Sequence, residues 1–189
     1  MQTIAGQDAP LVTVSRAITR LKSVFVTLLK DYNDASRGGL DGRKFWSDFF
    51  SPMYIHNSDG YFKHNQGAEF EFQLQIGSKL FPEYPIRSHA EAYYQFKKTL
   101  GVQASAVHNF DISATEYRDH KFVIGTECEK VLDAGFTGIN TRAGDLMTVK
   151  LKYNSRGGNT DAYLADRIQV ILHSDPIMEI RDSGVAVFD

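Results

Sequence analysis

DRIQVILHSDPIMEIRDSGVAVFD, residues Asp166 to Asp189, is the stretch whose reading decides the fold. Ile168, Val170 and Leu172 alternate with Arg167, Gln169 and Ile171, the two-residue period of a β-strand. His173-Ser174-Asp175-Pro176 breaks the run. Met178 and Ile180 follow, then Ser183-Gly184, then Val185 and Val187. Two strands and a short third are expected, with the C-terminus tied into a core. The pattern is structural, and no catalytic motif accompanies it.

Similar patterns lie upstream. Leu11–Ser15 alternates as a short strand. Arg20–Lys30 is dense in β-branched and aromatic residues and apolar on both faces in its middle, which predicts a strand covered on both sides. In Glu69–Gln75, Phe70, Phe72 and Leu74 alternate with carboxylates and amides, and Gly77-Ser78 is a hairpin signal leading into Lys79–Phe81. Pro82 and Pro85 bracket an expected turn. Lys121–Glu127 and Asp145–Tyr153 complete the strands, with Met147, Val149 and Leu151 inward. Lys44–Phe50 reads as a short strand or a helical turn, and Cys128–Ala134 as a helical turn. Asp31–Gly42, Ser51–Gly67 and Asn154–Asn159 read as loops and turns.

The one expected helix is Ser88–Leu100. Ser88 can cap it, Glu91 stands where a capping box needs a carboxylate, Lys97 and Lys98 suit its C-terminal dipole, and Gly101 ends it. Its apolar stripe is Ala92, Tyr93, Phe96 and Leu100, with Tyr94 off the stripe and directed outward. The fold class is therefore all-β, a jelly-roll β-sandwich of about eight strands with one inserted α-helix at about 88–100. Residues 1–10 read as a flexible arm and 11–189 as a single jelly-roll domain.

Composition narrows the function classes. The chain of 189 residues is 12% aromatic, with 13 Phe and 9 Tyr, which suits a sheet-rich core and an interface-rich surface. A net charge of −2 with mixed signs argues against a dominant nucleic-acid-binding role. The lone Cys128 rules out an internal disulfide framework and suits a reducing compartment, cytoplasm or nucleus. No segment has the run of about 20 apolar residues of a membrane-spanning helix. The first residues lack the layout of a signal peptide.

Chemistry-bearing groups were tested in turn. The six histidines show neither the helical pair nor the short strand-spaced pair of common metal sites. His56, Asp59 and His64 share one loop, read as solvated. His173-Ser174-Asp175 has the letters of a triad, but triad members converge from different segments, so a strand-end turn is expected. Gly38-Gly39 and Gly157-Gly158 are turns, since no Gly-Lys-Ser/Thr follows either. Glu127 and Glu129 beside Cys128 would raise its thiol pKa, the mark of a structural cysteine. Arg142 either pairs with Asp145 or faces solvent. No catalytic residue, cofactor or metal is expected.

Gly138-Ile139-Asn140-Thr141-Arg142 with Asp145, followed by a strand, resembles the G-x-x-N-x-S-R-x-D element of double jelly-roll major capsid proteins of large eukaryotic DNA viruses and polinton-like elements. Pro176–Arg181, Gly184 and Val185–Phe188 resemble that family's closing strand, glycine and final strand. Thr141 replaces the family's serine, two residues rather than one separate Arg142 from Asp145, and Glu179 replaces an apolar or basic residue. The length suits one barrel rather than two: the C-terminal barrel of a longer protein, or a single-barrel relative.

The resemblance implies a structural capsid protein without catalysis. It would be a component of a virion, forming homotrimers or larger shells with itself and neighbouring capsid proteins. Trp46, Tyr54, Tyr61, Phe62, Tyr94, Arg142 and Asp145 are the candidate contact residues. The alternative is a carbohydrate- or protein-binding module, in which Trp46, Tyr54, Tyr61 and Phe62 stack on sugar rings. A metal-dependent β-barrel enzyme is a third reading, weakened by the missing ligand spacing.

Overall fold

The computed structural model describes residues 1–5, 7, 9–33, 44–47, 49–52, 54–56, 62–64, 68–101, 112–128, 138–141, 146–155, 165–181 and 184–188. In chain order its elements are β1 (Gln2–Thr3), β2 (Leu11–Val14), β3 (Leu21–Asn33), β4 (Lys44–Ser47), β5 (Tyr54–His56), β6 (Phe62–His64), β7 (Ala68–Ile76), β8 (Lys79–Ile86), α1 (His89–Thr99), α2 (Ala114–His120), β9 (Ile124–Glu127), β10 (Met147–Ser155), β11 (Arg167–Ser174), β12 (Ile177–Arg181) and β13 (Gly184–Phe188).

The pairing has a simple logic. One sheet runs β1-β11-β3, with β9 and β4 pairing successive lengths of β3; the other runs β2-β10-β7-β8. With β4 to β6 and the β12–β13 pair set aside, eight strands remain. Among these the first pairs with the eighth, the second with the seventh, the third with the sixth and the fourth with the fifth, all antiparallel. That is one long hairpin rolled into two sheets, the jelly roll. The β3·β11 and β7·β10 pairs close it. The all-β sandwich expected from the sequence is the fold observed.

The inner faces carry the core. Phe70, Phe72, Leu74 and Ile76 of β7 and Met147, Val149 and Leu151 of β10 are buried, facing Val24, Val26 and Leu28 of β3 and Ile168 of β11. Each set falls on alternate residues, so burial follows directly from the two-residue period. β3 is also covered on its outer face, as its sequence predicts. There Phe25 meets Phe96 of α1 edge-on, with ring centroids 6.2 Å apart. Gly125, opposite Phe25 in the register, makes room for the helix: a Cβ there would lie 3.0 Å from Phe96 Cα and 2.9 Å from Thr99 Oγ1.

Ser88 caps α1, its hydroxyl accepting the Glu91 N–H at 3.2 Å. The Glu91 carboxylate accepts from the Arg87 N–H, not from Ser88, so the reciprocal arm of the expected capping box lands one residue upstream. A second helix, α2, carries the full box: the Ser113 hydroxyl accepts from Glu116 N–H and the Glu116 carboxylate from Ser113 N–H. Tyr117 of α2 is buried, stacks on Phe96, and donates to the Val123 carbonyl at 2.6 Å.

Several expectations change. Residues 1–10 are not simply an arm: Gln2–Thr3 pair with β11, Ile4 is buried, and its N–H donates to the Asp166 carbonyl. Pro82 and Pro85 lie inside β8, not in a turn; β8 is the outermost strand of its sheet, where a missing N–H costs no ladder bond. Asp31–Asn33 extend β3, and the Ser51–Gly67 stretch contains the β5–β6 pair. Lys44–Ser47 is strand. The last two strands are formed but are not tied into the core, as described below. The turns expected at Gly38-Gly39 and Gly157-Gly158, and residues 129–134 of the expected helical turn, lie outside the described residues.

Candidate interaction surface

Hydroxyl–imidazole pairs are the first chemistry to test. Ser51 Oγ and His89 Nε2 share a hydrogen bond of 2.7 Å, and Ser23 Oγ and His173 Nδ1 one of 3.2 Å. Both serines are buried, which denies either hydroxyl a substrate path. The His89 ring also packs edge-on against Phe122, at 5.6 Å between centroids. These bonds join segments far apart in sequence and act as fasteners. His173-Ser174-Asp175 is a strand end: β11 stops at Ser174, and Asp175 forms an ion pair with Lys22.

Cys128 is a buried free thiol. Burial first, and Glu127 second, push its pKa up to about 12, so it stays protonated and unreactive at neutral pH. Among the described residues no group of three or more His, Cys, Asp or Glu side chains is placed to hold a metal ion.

The expected contact residues are scattered. Tyr94 on α1 is outward and 53% exposed. Trp46 lies in β4 opposite Asp31, while Tyr54 and Phe62 lie in the β5–β6 pair, opposite His64 and His56. Trp46 and the Tyr54–Phe62 pair thus belong to different sheets. Tyr61, Arg142 and Asp145 are outside the described residues. Beside Arg142, however, Thr141 is firmly placed. Its buried hydroxyl accepts the Ile18 N–H at 2.9 Å, and Ile139 bridges to Leu21. The Gly138–Thr141 segment therefore anchors the start of β3, a role a hydroxyl side chain fills.

An exposed apolar surface lies elsewhere. In the β12–β13 pair, Met178 stands opposite Val187 and Ile180 opposite Val185. These four share one face, and they are 61%, 63%, 72% and 61% exposed in that order. The register leaves Ile177, Glu179 and Arg181, with their partners Phe188, Ala186 and Gly184, for the opposite face, where Arg181 pairs with Glu179 at 2.7 Å. Among the described residues, β12 and β13 pack extensively only against each other.

A second feature lies at the edge of the sandwich. A cavity of about 230 Å³ opens where the edges of the two sheets part, between β1 and β11 on one side and β2 on the other. Val12, Val14, Ile168 and Val170 line it together with Met1, Gln2, Thr13 and Ser15; no lining side chain is charged, but Met1 carries the chain's α-ammonium.

No family model, curated protein or solved structure matches this chain. Its function is therefore argued from its own surfaces. The sequence predicts that the strands carrying Met178, Ile180, Val185 and Val187 tie the C-terminus into a core, and the structure leaves these four in water instead. The available signal was arithmetic: β11 completes an eight-strand roll, so any later strand is surplus to it.

Proposed function

We propose that this chain is a structural shell subunit: a jelly-roll capsid protein that assembles with copies of itself, or with neighbouring capsid proteins, and catalyses nothing. The observation that carries this reading is the apolar face of the β12–β13 hairpin, which is fully formed and faces water. An isolated two-stranded hairpin is marginally stable in water, and contiguous exposed apolar surface marks an interaction site. The two serine–histidine pairs, whose hydroxyls are buried, and the protonated Cys128 add support, since they serve packing rather than chemistry. The resemblance of Gly138–Arg142 and Pro176–Phe188 to double jelly-roll capsid elements points the same way, and a virion is the location it implies.

Mass photometry with negative-stain microscopy on the purified chain tests the proposal. Trimers, rings or shells are expected. A strict monomer across micromolar concentrations refutes it, and a glycan array would then test the carbohydrate-binding module.

A further inference from the structure

We infer that the cleft between β11 and β2 docks an extended peptide segment of a partner protein, which adds to the open edge of β11 as a strand with its terminal carboxylate toward Met1. The inference goes beyond the shell reading and does not depend on it.

β3 fixes the direction of the backbone groups on β11. The Lys22 carbonyl accepts from the Cys128 N–H and the Leu28 carbonyl from the Phe50 N–H, both on the side of β3 away from β11. Alternate residues of a strand turn their N–H and C=O the same way, so Val24 and Val26 also turn theirs away from β11. Leu172 and Val170 stand opposite them. Residues directly opposite in an antiparallel pair either both exchange bonds or both turn away. Val170 and Leu172 therefore point N–H and C=O at the outer edge of β11. Among the described residues β1 is the one strand on that edge, and its pairing stops at Gln2, opposite Ile168.

β2 frames the other side of the cleft. The Leu151 N–H donates to the Pro10 carbonyl, so Val12 turns its backbone groups to β10 and Thr13 turns its own outward. The cleft thus lies between two strand edges, which accounts for polar walls over a floor of Val12, Val14, Ile168 and Val170.

These features define the ligand. Backbone donors and acceptors two residues apart on one strand edge match an extended backbone. The valine-rich floor of a cavity of about 230 Å³ suits small β-branched side chains at alternate positions. The Met1 α-ammonium sets the direction. A strand continuing the line of β1, antiparallel to β11, brings its C-terminal carboxylate to that ammonium, whereas the parallel direction sets two ammonium groups together.

The test is amide hydrogen exchange, read by NMR on the full chain at high dilution. Gln169 and Ile171, bonded to β3, exchange slowly, and Val170 and Leu172 exchange quickly. The probe is the tetrapeptide acetyl-Ser-Val-Thr-Val with a free carboxylate. At saturation it slows exchange at Val170 and Leu172 by about ten-fold or more. Its C-terminal amide binds about five-fold more weakly. Val170→Pro removes an outward N–H without breaking a bond to β3, and weakens peptide binding by about ten-fold. Ser15→Trp, at an exposed position, fills the cleft without touching β11 and produces a similar loss.

Slow exchange at Val170 and Leu172 in the dilute chain means the edge is already covered and overturns the inference. Protection that grows with protein concentration, without peptide, assigns the edge to a second copy and also overturns it. So does no binding at millimolar peptide, equal binding of the amide, or binding that neither variant weakens. Assembly of the parent in mass photometry is a separate readout, so the shell reading stands or falls independently.

Discussion

β3 and the β12–β13 hairpin are both rich in β-branched and large apolar residues, and they meet opposite fates. β3 buries Val24, Val26 and Leu28 against the other sheet and keeps even Ser23 and Thr27 of its outer face out of water. The hairpin leaves Met178, Ile180, Val185 and Val187 in the open. Composition does not separate them; position in the roll does. β3 is the third of eight strands and pairs with both the sixth and the eighth, whereas the hairpin follows the eighth. The roll buries its own apolar faces, and the hairpin leaves one of its faces in water.

This contrast can be broken most forcefully from the roll's side. Phe70→Ala removes a ring that touches both Phe122 and Tyr153 in the core. It is expected to cost about 3–5 kcal/mol in chemical denaturation, enough to unfold much of the population. Gly125→Val comes next. Its side chain would press on the backbone of α1 at Phe96, and about 1–3 kcal/mol of overpacking is expected from the same measurement.

Alkali acts on the roll in smaller steps. Cys128 has an ordinary pKa of 9.0, raised by burial to about 12. Below the ordinary value both folded and unfolded chains hold the proton, and stability is unaffected. Above it the unfolded chain releases the proton while the folded chain keeps it. Stability therefore falls between pH 9.0 and about 12 by up to ~1.4 kcal/mol per pH unit from this group. Tyr117 and Tyr153, raised chiefly by burial, steepen the decline above their ordinary value of 10.0. Urea titrations at successive pH values measure it, and Cys128→Ser should flatten its onset. The smallest effect belongs to the hairpin: Ile180→Ala, measured on dilute monomer, is expected to change stability by less than about 0.5 kcal/mol. A larger loss would mean that the hairpin packs on its own body after all.

The sequence revealed the roll wherever one face of a strand is buried and the other is not. β7, β10 and β11 announce themselves by alternation, and α1 by Ser88 and its stripe. What stayed hidden has physical causes. β8 carries two prolines in eight residues, which reads as a turn unless the strand is known to lie at an edge. α2 spans only seven residues, too few for a period, although Ser113 and Glu116 spelled out its cap. β5 and β6 have three residues each, below the length at which alternation shows. The last hairpin was legible as strand but not as exposed, because alternation reads the same whether the apolar face is covered or open. Of the expected contact residues, Tyr94 alone is described with its side chain, outward as read. The surface argued from structure shares none of them.

The rolled hairpin also governs when the protein can fold. Gln2 finds its partner at Ile168, and Leu11 at Lys150, so the outermost pairs of the rolled hairpin join residues far apart in the chain. Contacts this remote demand costly loop closure before they return any stabilisation, and they slow folding. During synthesis β1 and β3 wait for β11 to be made, with strand edges open to wrong partners. Rapid expression should therefore send much of the chain into aggregates, while slow expression or added chaperone should recover it.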